Sequence, residues 1–256
     1  NIHGKDYVFL FDTGSSHTIF FEKTATELNL LPIYDDVSIE GIGSSTGSMT
    51  QLDSLSLGDI LVKNPLIVIT ENIFLEKLKD DSANMLAGVF GLDLMKKLGE
   101  IQIAKNGGKY KMTIPAQQTD APELEQTMLI DTKNQPYVLA TLDGESAVFH
   151  LDTGLTSTDL THNYFQKNKT HIEANFSKGC SCSYGFGGGK DNDIYVLPKL
   201  DLKVAGVNYS KNRVPIHIES RFVGDEYGEG ALGADFLFHF NKVTLNFDKM
   251  FVKAEE

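Results

Sequence analysis

The chain repeats itself. Residues 1–14, NIHGKDYVFLFDTG, are matched by residues 141–154, TLDGESAVFHLDTG. Gly4 falls on Gly144, Val8 on Val148, Phe9 on Phe149, and Asp12-Thr13-Gly14 on Asp152-Thr153-Gly154, an offset of 140 residues. After each triplet come a short Ser/Thr-rich stretch and a helical pattern, FEKTATELNL in the first half and THNYFQKNKTH in the second. Each half then carries a glycine-rich tip, GIGSSTG at 41–47 and YGFGGG at 184–189, and an alternating stretch after the tip reads as strand. The segments AGVFGLDLMKKLGEIQI and GALGADFLFHFNKVTLNF close the series, with Gly91 on Gly233. Landmarks in one order at nearly constant spacing mark a duplication, and that fixes the architecture before any single element is assigned.

Two copies rich in short strands predict a mostly β, bilobal protein: two β-barrel-like lobes related by a pseudo-twofold axis, with a few short helices. The first lobe is expected over residues 1–116, a linker over 117–134 and the second lobe over 135–256; the stretch PAQQTDAPELEQ at 115–126 has the Pro, Gln and acid content of a linker and no periodicity. The copies differ in one respect. QPYVLATLDGES reads as a hairpin leading into the second motif strand, whereas its counterpart in the first half would largely precede Asn1. Upstream residues or another segment are expected to pair with the first motif strand, because an open strand edge invites aggregation.

Composition removes several classes of function. A net charge of −12, with no Lys/Arg stripe, opposes binding to a phosphate backbone, so nucleic acid is not an expected partner. The histidines at 3, 17, 150, 162, 171, 217 and 239 show no ligand spacing. Cys180 and Cys182 are too close for a comfortable disulfide and too few for a zinc site. Neither metal nor cofactor is expected. No apolar run reaches the roughly 20 residues of a membrane span. The start lacks a signal-peptide pattern and an initiator Met, and the expected location is extracytoplasmic: periplasmic, secreted or anchored through an upstream segment.

A twofold axis brings equivalent points of the lobes together, so Asp12 and Asp152 are expected to face each other. At about 4 Å and an effective dielectric near 20, two carboxylates repel by about 4 kcal/mol, worth roughly three pKa units. One proton is then held between them over a wide pH range. The ionised member can act as general base on water while the protonated member hydrogen-bonds a carbonyl, which amounts to peptide hydrolysis without a covalent intermediate. Gly14 and Gly154 permit a tight turn and a close backbone approach. Thr13 and Thr153 can hydrogen-bond across the axis and brace the loops. Ser15 follows the first triplet and Leu155 the second, so Asp12, with a hydroxyl beside it, is expected to be the more readily ionised.

Taken alone, Asp12 is a turn-capping acid; the second copy changes that reading. LIDTKN, residues 129–134, has Lys133 where glycine is required and reads as a strand end. Asp93 and Asp235 read as structural residues at helix starts. An aspartyl-phosphate phosphatase would need a second carboxylate where Gly14 and Gly154 stand.

The paired Asp-Thr-Gly triplets, each followed at about 80 residues by an apolar Gly-x-Asp segment (Gly91-Leu-Asp93-Leu and Gly233-Ala-Asp235-Phe), together with the glycine tips, resemble the aspartic peptidases of the pepsin and retropepsin group over nearly the whole chain. The resemblance implies an aspartic endopeptidase with Asp12 and Asp152 catalytic. It makes Thr13, Gly14, Ser15, Thr153 and Gly154 loop-bracing residues. It also implies two flaps, with Gly41, Ile42, Gly43 and Ser44 on one and Gly185, Phe186 and Gly187 on the other, closing over a peptide or protein substrate. The half length is nearer retropepsin subunits than pepsin's lobes, and with both copies on one chain a monomer should be active. Leu155 departs from the small or hydroxyl residue usual after this triplet, and Tyr184 is a candidate for the flap tyrosine of pepsin-type enzymes. The alternative is a catalytically inactive peptide-binding module with a protease fold, a role for which two intact triplets would not be required.

Overall fold

In the computed structural model, which describes residues 1–73, 85–121, 126–220 and 228–256, the chain is mostly β. The first half contributes β1 (Val8–Phe11), β2 (Ile19–Phe21), β3 (Tyr34–Glu40), β4 (Ser44–Gln51), β5 (Ser54–Leu57), β6 (Ile60–Lys63), β7 (Leu66–Thr70) and β8 (Leu86–Phe90), and then β9 (Glu100–Asn106) and β10 (Lys109–Thr113). Its main sheet has the order β1-β8-β2-β7-β4-β3, with β5 and β6 forming a separate hairpin.

The second half contributes β11 (Met128–Ile130), β12 (Pro136–Leu142), β13 (Glu145–Leu151), β14 (Asp159–Leu160), β15 (Ser177–Gly185), β16 (Gly188–Val204), β17 (Val207–His217) and β18 (Gly230–Leu232), followed by β19 (Lys242–Asn246) and β20 (Phe251–Glu255). Its sheet runs β11-β12-β13-β18-β14-β17-β16-β15. From β13 onward this matches the first half strand for strand. In both halves the motif strand lies parallel to a short apolar strand, Leu10 beside Val89 in one and His150 beside Ala231 in the other.

The halves differ where the sequence reading placed the missing strand. QPYVLATLDGES forms the β12–β13 hairpin, turning at Asp143-Gly144 with φ of 53° and 84°, the left-handed pair that a two-residue hairpin loop needs and an Asp-Gly dipeptide supplies. β12 also pairs with β16, Ala140 beside Val204 and Leu142 beside Leu202, which closes the second-half sheet into a ring. Among the described residues β1 ends its sheet. The closed, barrel-like ring is thus seen in the second half, where β12 closes it, and among the described residues no strand pairs with the outer edge of β1.

A third sheet, β10-β9-β19-β20, takes two strands from each half and joins them. Glu100, 1% exposed, anchors it by accepting hydrogen bonds from Gln102, Asn246 and both the N–H and the hydroxyl of Thr119. Burial alone would raise this carboxyl, but those donors outweigh it and hold it below the usual range. The expected linker at 117–134 needs correction. Residues 122–125 lie outside the described residues, and Met128–Ile130 is a strand paired with β12, anchored by Met128, which is fully buried in the main core.

The predicted helices form over Glu22–Glu27 and His162–Asn175, the second capped by the Thr161 hydroxyl accepting from the Tyr164 N–H. The main core runs through both halves, with Phe20, Phe149, Phe236 and Phe240 almost fully buried. A smaller cluster, Ile19, Phe21, Val68 and Val89, belongs to the first half alone.

Candidate active site

Asp12 and Asp152 follow directly on β1 and β13. Their N–H groups donate to Phe90 O (3.1 Å) and Leu232 O (3.0 Å), so each loop begins on the strand parallel to its own. The chain then turns so that the Gly14 N–H donates to Asp12 Oδ1 (2.8 Å) and the Gly154 N–H to Asp152 Oδ1 (3.0 Å). Each glycine lies against the opposite half's acid: a Cβ on Gly14 would stand 2.5 Å from Asp152 Oδ1, and one on Gly154 would stand 2.6 Å from Asp12 Cγ. Only a glycine lets the loops close to this distance. The two carboxyls are within hydrogen-bonding reach of each other.

The threonines lock the loops reciprocally. The Thr13 hydroxyl donates to Leu151 O (2.5 Å) and accepts from the Thr153 N–H (3.1 Å). The Thr153 hydroxyl donates to Phe11 O (2.9 Å) and accepts from the Thr13 N–H (3.0 Å). Removing one hydroxyl leaves a buried N–H and a buried carbonyl without their partners, at about 1–3 kcal/mol each. Thr13→Val and Thr153→Val are therefore each expected to destabilise the protein by about 2–4 kcal/mol in denaturant unfolding, with Thr→Ser at the same positions close to native.

Behind the loops, Asp93 and Asp235 brace each half. Thr18 donates its hydroxyl to Asp93 Oδ1 (2.7 Å), and Thr158 donates its own to Asp235 Oδ1 (2.9 Å). The Leu92 N–H donates to Ser15 O and the Ala234 N–H to Leu155 O, pinning the residue after each glycine to a helix start. Both acids thus hold the loops from outside. Asp235 has additional partners in Lys211 and the Tyr209 hydroxyl.

Two expectations change. The Ser15 hydroxyl donates to His17 O (2.8 Å) and not to Asp12; Ser15 serves the loop through its backbone, its N–H donating to Asp12 O and its carbonyl accepting from Leu92. Leu155 makes the same pair of backbone bonds, so its side chain costs the second loop nothing in hydrogen bonding. Burial and then the charge of Asp152 push the Asp12 carboxyl up to about 8, against the lowering effect of the Gly14 and Ser15 N–H groups. The hydroxyl expected to favour ionisation of Asp12 is directed elsewhere, and the Asp12 carboxyl keeps a proton through neutral pH.

The pair opens into a cavity of about 510 Å³. Its roof is the two hairpin tips, β3–β4 turning at Gly41-Ile42-Gly43 and β15–β16 turning at Phe186-Gly187. The tips touch. The Gly43 N–H donates to Phe186 O (3.0 Å), and Gly43 and Gly187 are packed so closely that a Cβ on Gly187 would fall 2.2 Å from the Gly43 carbonyl carbon. Gly187, at φ +84°, supplies the left-handed turn. Phe186 packs on the small first-half cluster, and Ile42 lies under Gly185. Ser44 opens β4, while Gly47 and Gly189 belong to strands rather than tips. The Tyr184 hydroxyl donates to Ile73 O (3.1 Å), tying the second hairpin to the first half.

Sequence reasoning missed part of the wall. Asp131, Lys133 and Gln135 line the cavity from a loop after β11, held to the first motif by Gln135 Nε2 donating to Ser16 Oγ (2.7 Å) and Ser16 Oγ donating to Lys133 O (2.8 Å). At the repeat's offset of 140 its counterpart would fall before Asn1, so the repeat could not flag it. His150, which the repeat does align with Leu10, also lines the cavity, and a polar residue inside the apolar run VFHL was the available signal. Among the described residues no three His, Cys, Asp or Glu side chains converge as metal ligands do, and both cysteines are exposed thiols.

A family model described as aspartyl protease matches residues 1–94, the segment that holds the first triplet, the first tip and the Gly91-Leu-Asp93 bracing element. Among curated proteins none matches the chain. Two solved structures of similar shape are the basic 7S globulin from soybean (13% identity, TM-score 0.49, covering 97% of this chain and 88% of that one) and conglutin gamma, a basic 7S globulin from lupine seeds (10% identity, TM-score 0.48, covering 97% and 87%).

Proposed function

We propose that the protein is a single-chain aspartic endopeptidase built from two copies of one half, each nearer to a retropepsin subunit than to a lobe of pepsin. The observation that supports this reading most is the reciprocal seating of the two loops, in which each glycine admits the other half's aspartate and each threonine satisfies the other half's backbone. A local capping role for Asp12 would require none of this. Water between the carboxyls loses a proton to the ionised member while the neutral member donates a hydrogen bond to the scissile carbonyl oxygen. The resulting tetrahedral species collapses as a proton passes to the leaving nitrogen. Since both acids belong to one chain, a monomer completes the site.

Glycine tips that meet over the cavity must part for an extended peptide to enter, and on closing they can offer it main-chain hydrogen bonds. Incubating the protein with a peptide library between about pH 3 and 9 tests the reading. Internal cleavage is expected, and it should fall as pH rises through about 8, where the Asp12 carboxyl gives up the proton the neutral partner needs. A folded chain that cleaved nothing across that range would instead favour the binding module.

A further inference from the structure

Equivalent rows of residues run across the sheets of the two halves, and they differ in chemistry where they reach the cavity. In the first half, Leu10, Val89, Ile19 and Val68 stand side by side across four strands, and all four line the cavity. In the second half the same row reads His150, Ala231, Asp159. His217 Nε2, from the neighbouring strand β17, lies 3.3 Å from Asp159 Oδ2. His150 lines the cavity, with the Tyr137 ring 5.2 Å from its own, while Asp159, across Ala231, and His217 are buried, 4% and 3% exposed. Residues that sit opposite one another on adjacent strands share a face of the sheet. Of the second-half row it is His150 that lines the cavity, so one wall presents an imidazole where the other presents Leu10, with a carboxylate buried farther along the same face.

Buried polar groups are tolerated where they have partners, and they penalise an apolar neighbour that strips those partners of water. Adjacent side chains of an extended peptide point to opposite sides, so the residues flanking the cleaved bond face different halves. Resting on the protease reading, we propose that His150 determines specificity: the first-half subsite takes an aliphatic or aromatic side chain, and the second-half subsite takes an uncharged hydrogen-bonding one such as Asn or Gln. An acidic side chain is disfavoured there by the shared negative charge of the aspartate pair and by the chain's net charge of −12.

The test uses four peptides identical except at the two positions flanking the cleaved bond, carrying Leu-Leu, Leu-Gln, Gln-Leu and Gln-Gln. One of the two mixed peptides is expected to be cleaved about tenfold faster, in kcat/KM, than Leu-Leu, the discrimination expected of a site that leaves its polar groups unpaired by an apolar ligand. His150→Leu should move the optimum to Leu-Leu, and His150→Gln, which keeps hydrogen-bonding capacity, should retain the mixed preference. A native optimum at Leu-Leu, or a mixed preference that survives His150→Leu, overturns the proposal. If the native protein cleaves none of the four, the protease reading fails separately, and calorimetric binding of the same peptides decides the subsite: tightest binding of a mixed peptide supports it, and tightest binding of Leu-Leu overturns it.

Discussion

Asp12→Asn and Asp152→Asn are each expected to lower kcat about 1,000-fold without unfolding the protein. Each substitution keeps the shape of the side chain and its capacity to accept from Gly14 or Gly154, so the loops stay seated. What is lost is the pair's ability to hold one proton and one charge, and with it both the general base and its neutral partner, a contribution on the order of 10²–10⁴ for positioned proton transfer. Because the acids act as one unit, the double variant should be no slower than the worse single variant. Stability should move the opposite way at Asp12. Its carboxyl is raised from 3.8 to about 8 on folding, so the folded chain keeps a proton that the unfolded chain has released. That contribution is complete below about pH 4 and is lost as pH rises to about 8. Asn cannot ionise. The Asp12→Asn protein should therefore melt higher than the native protein at pH 8 and show a flatter dependence of Tm on pH between 4 and 8. Near-native turnover in either single variant would rule out a shared pair.

The repeat made the centre of this site legible because symmetry does the positioning: two identical triplets on matching strands have one place to meet, and the Gly-x-Asp elements that brace them recur at the same distance along the chain. Where the halves diverge, the sequence carries less. The closed ring of the second half depends on β12 reaching β16, a pairing of residues about 60 apart that no periodicity announces. From sequence the Ser15 hydroxyl could be assigned to the Asp12 carboxyl, yet the path of the loop gives it to the His17 carbonyl. The contact of Phe186 with the first-half cluster belongs to neither half's own folding pattern. It arises because one hairpin lies over the other half's apolar wall, and that wall is apolar only where Leu10 and Ile19 stand in place of His150 and Asp159. Sequence thus located the shared part of the machinery, while the parts that break the symmetry, which set the shape of the cavity, rest on contacts between segments far apart in the chain.

The glycines of the triplets separate loop geometry from acid chemistry. Neither Gly14 nor Gly154 has the positive φ that only glycine tolerates well, so alanine is compatible with the backbone at both positions and the nearest obstacle is the opposite aspartate. Gly14→Ala should displace Asp152, and Gly154→Ala should displace Asp12, each acting across the axis rather than on the acid two residues before it. A methyl group 2.5–2.6 Å from a carboxyl must move it by about 1 Å to reach ordinary contact, and misplacements of that size cost on the order of 100-fold in rate. Each variant is expected to lose at least 100-fold in kcat, with a stability loss of about 1–3 kcal/mol from overpacking. Gly154→Ala should also shift the high-pH limb of the rate profile below about 8, since moving Asp12 away from Asp152 weakens the charge repulsion that raises it. Gly144→Ala provides the contrast: at φ +84° and with nothing within 4 Å, it strains a turn without touching the site, so it should lower Tm and leave kcat intact. If Gly14→Ala and Gly154→Ala retained native turnover, the two loops would not be seated against each other in the active protein, and the pair would lose the geometry that makes it more than two capped turns.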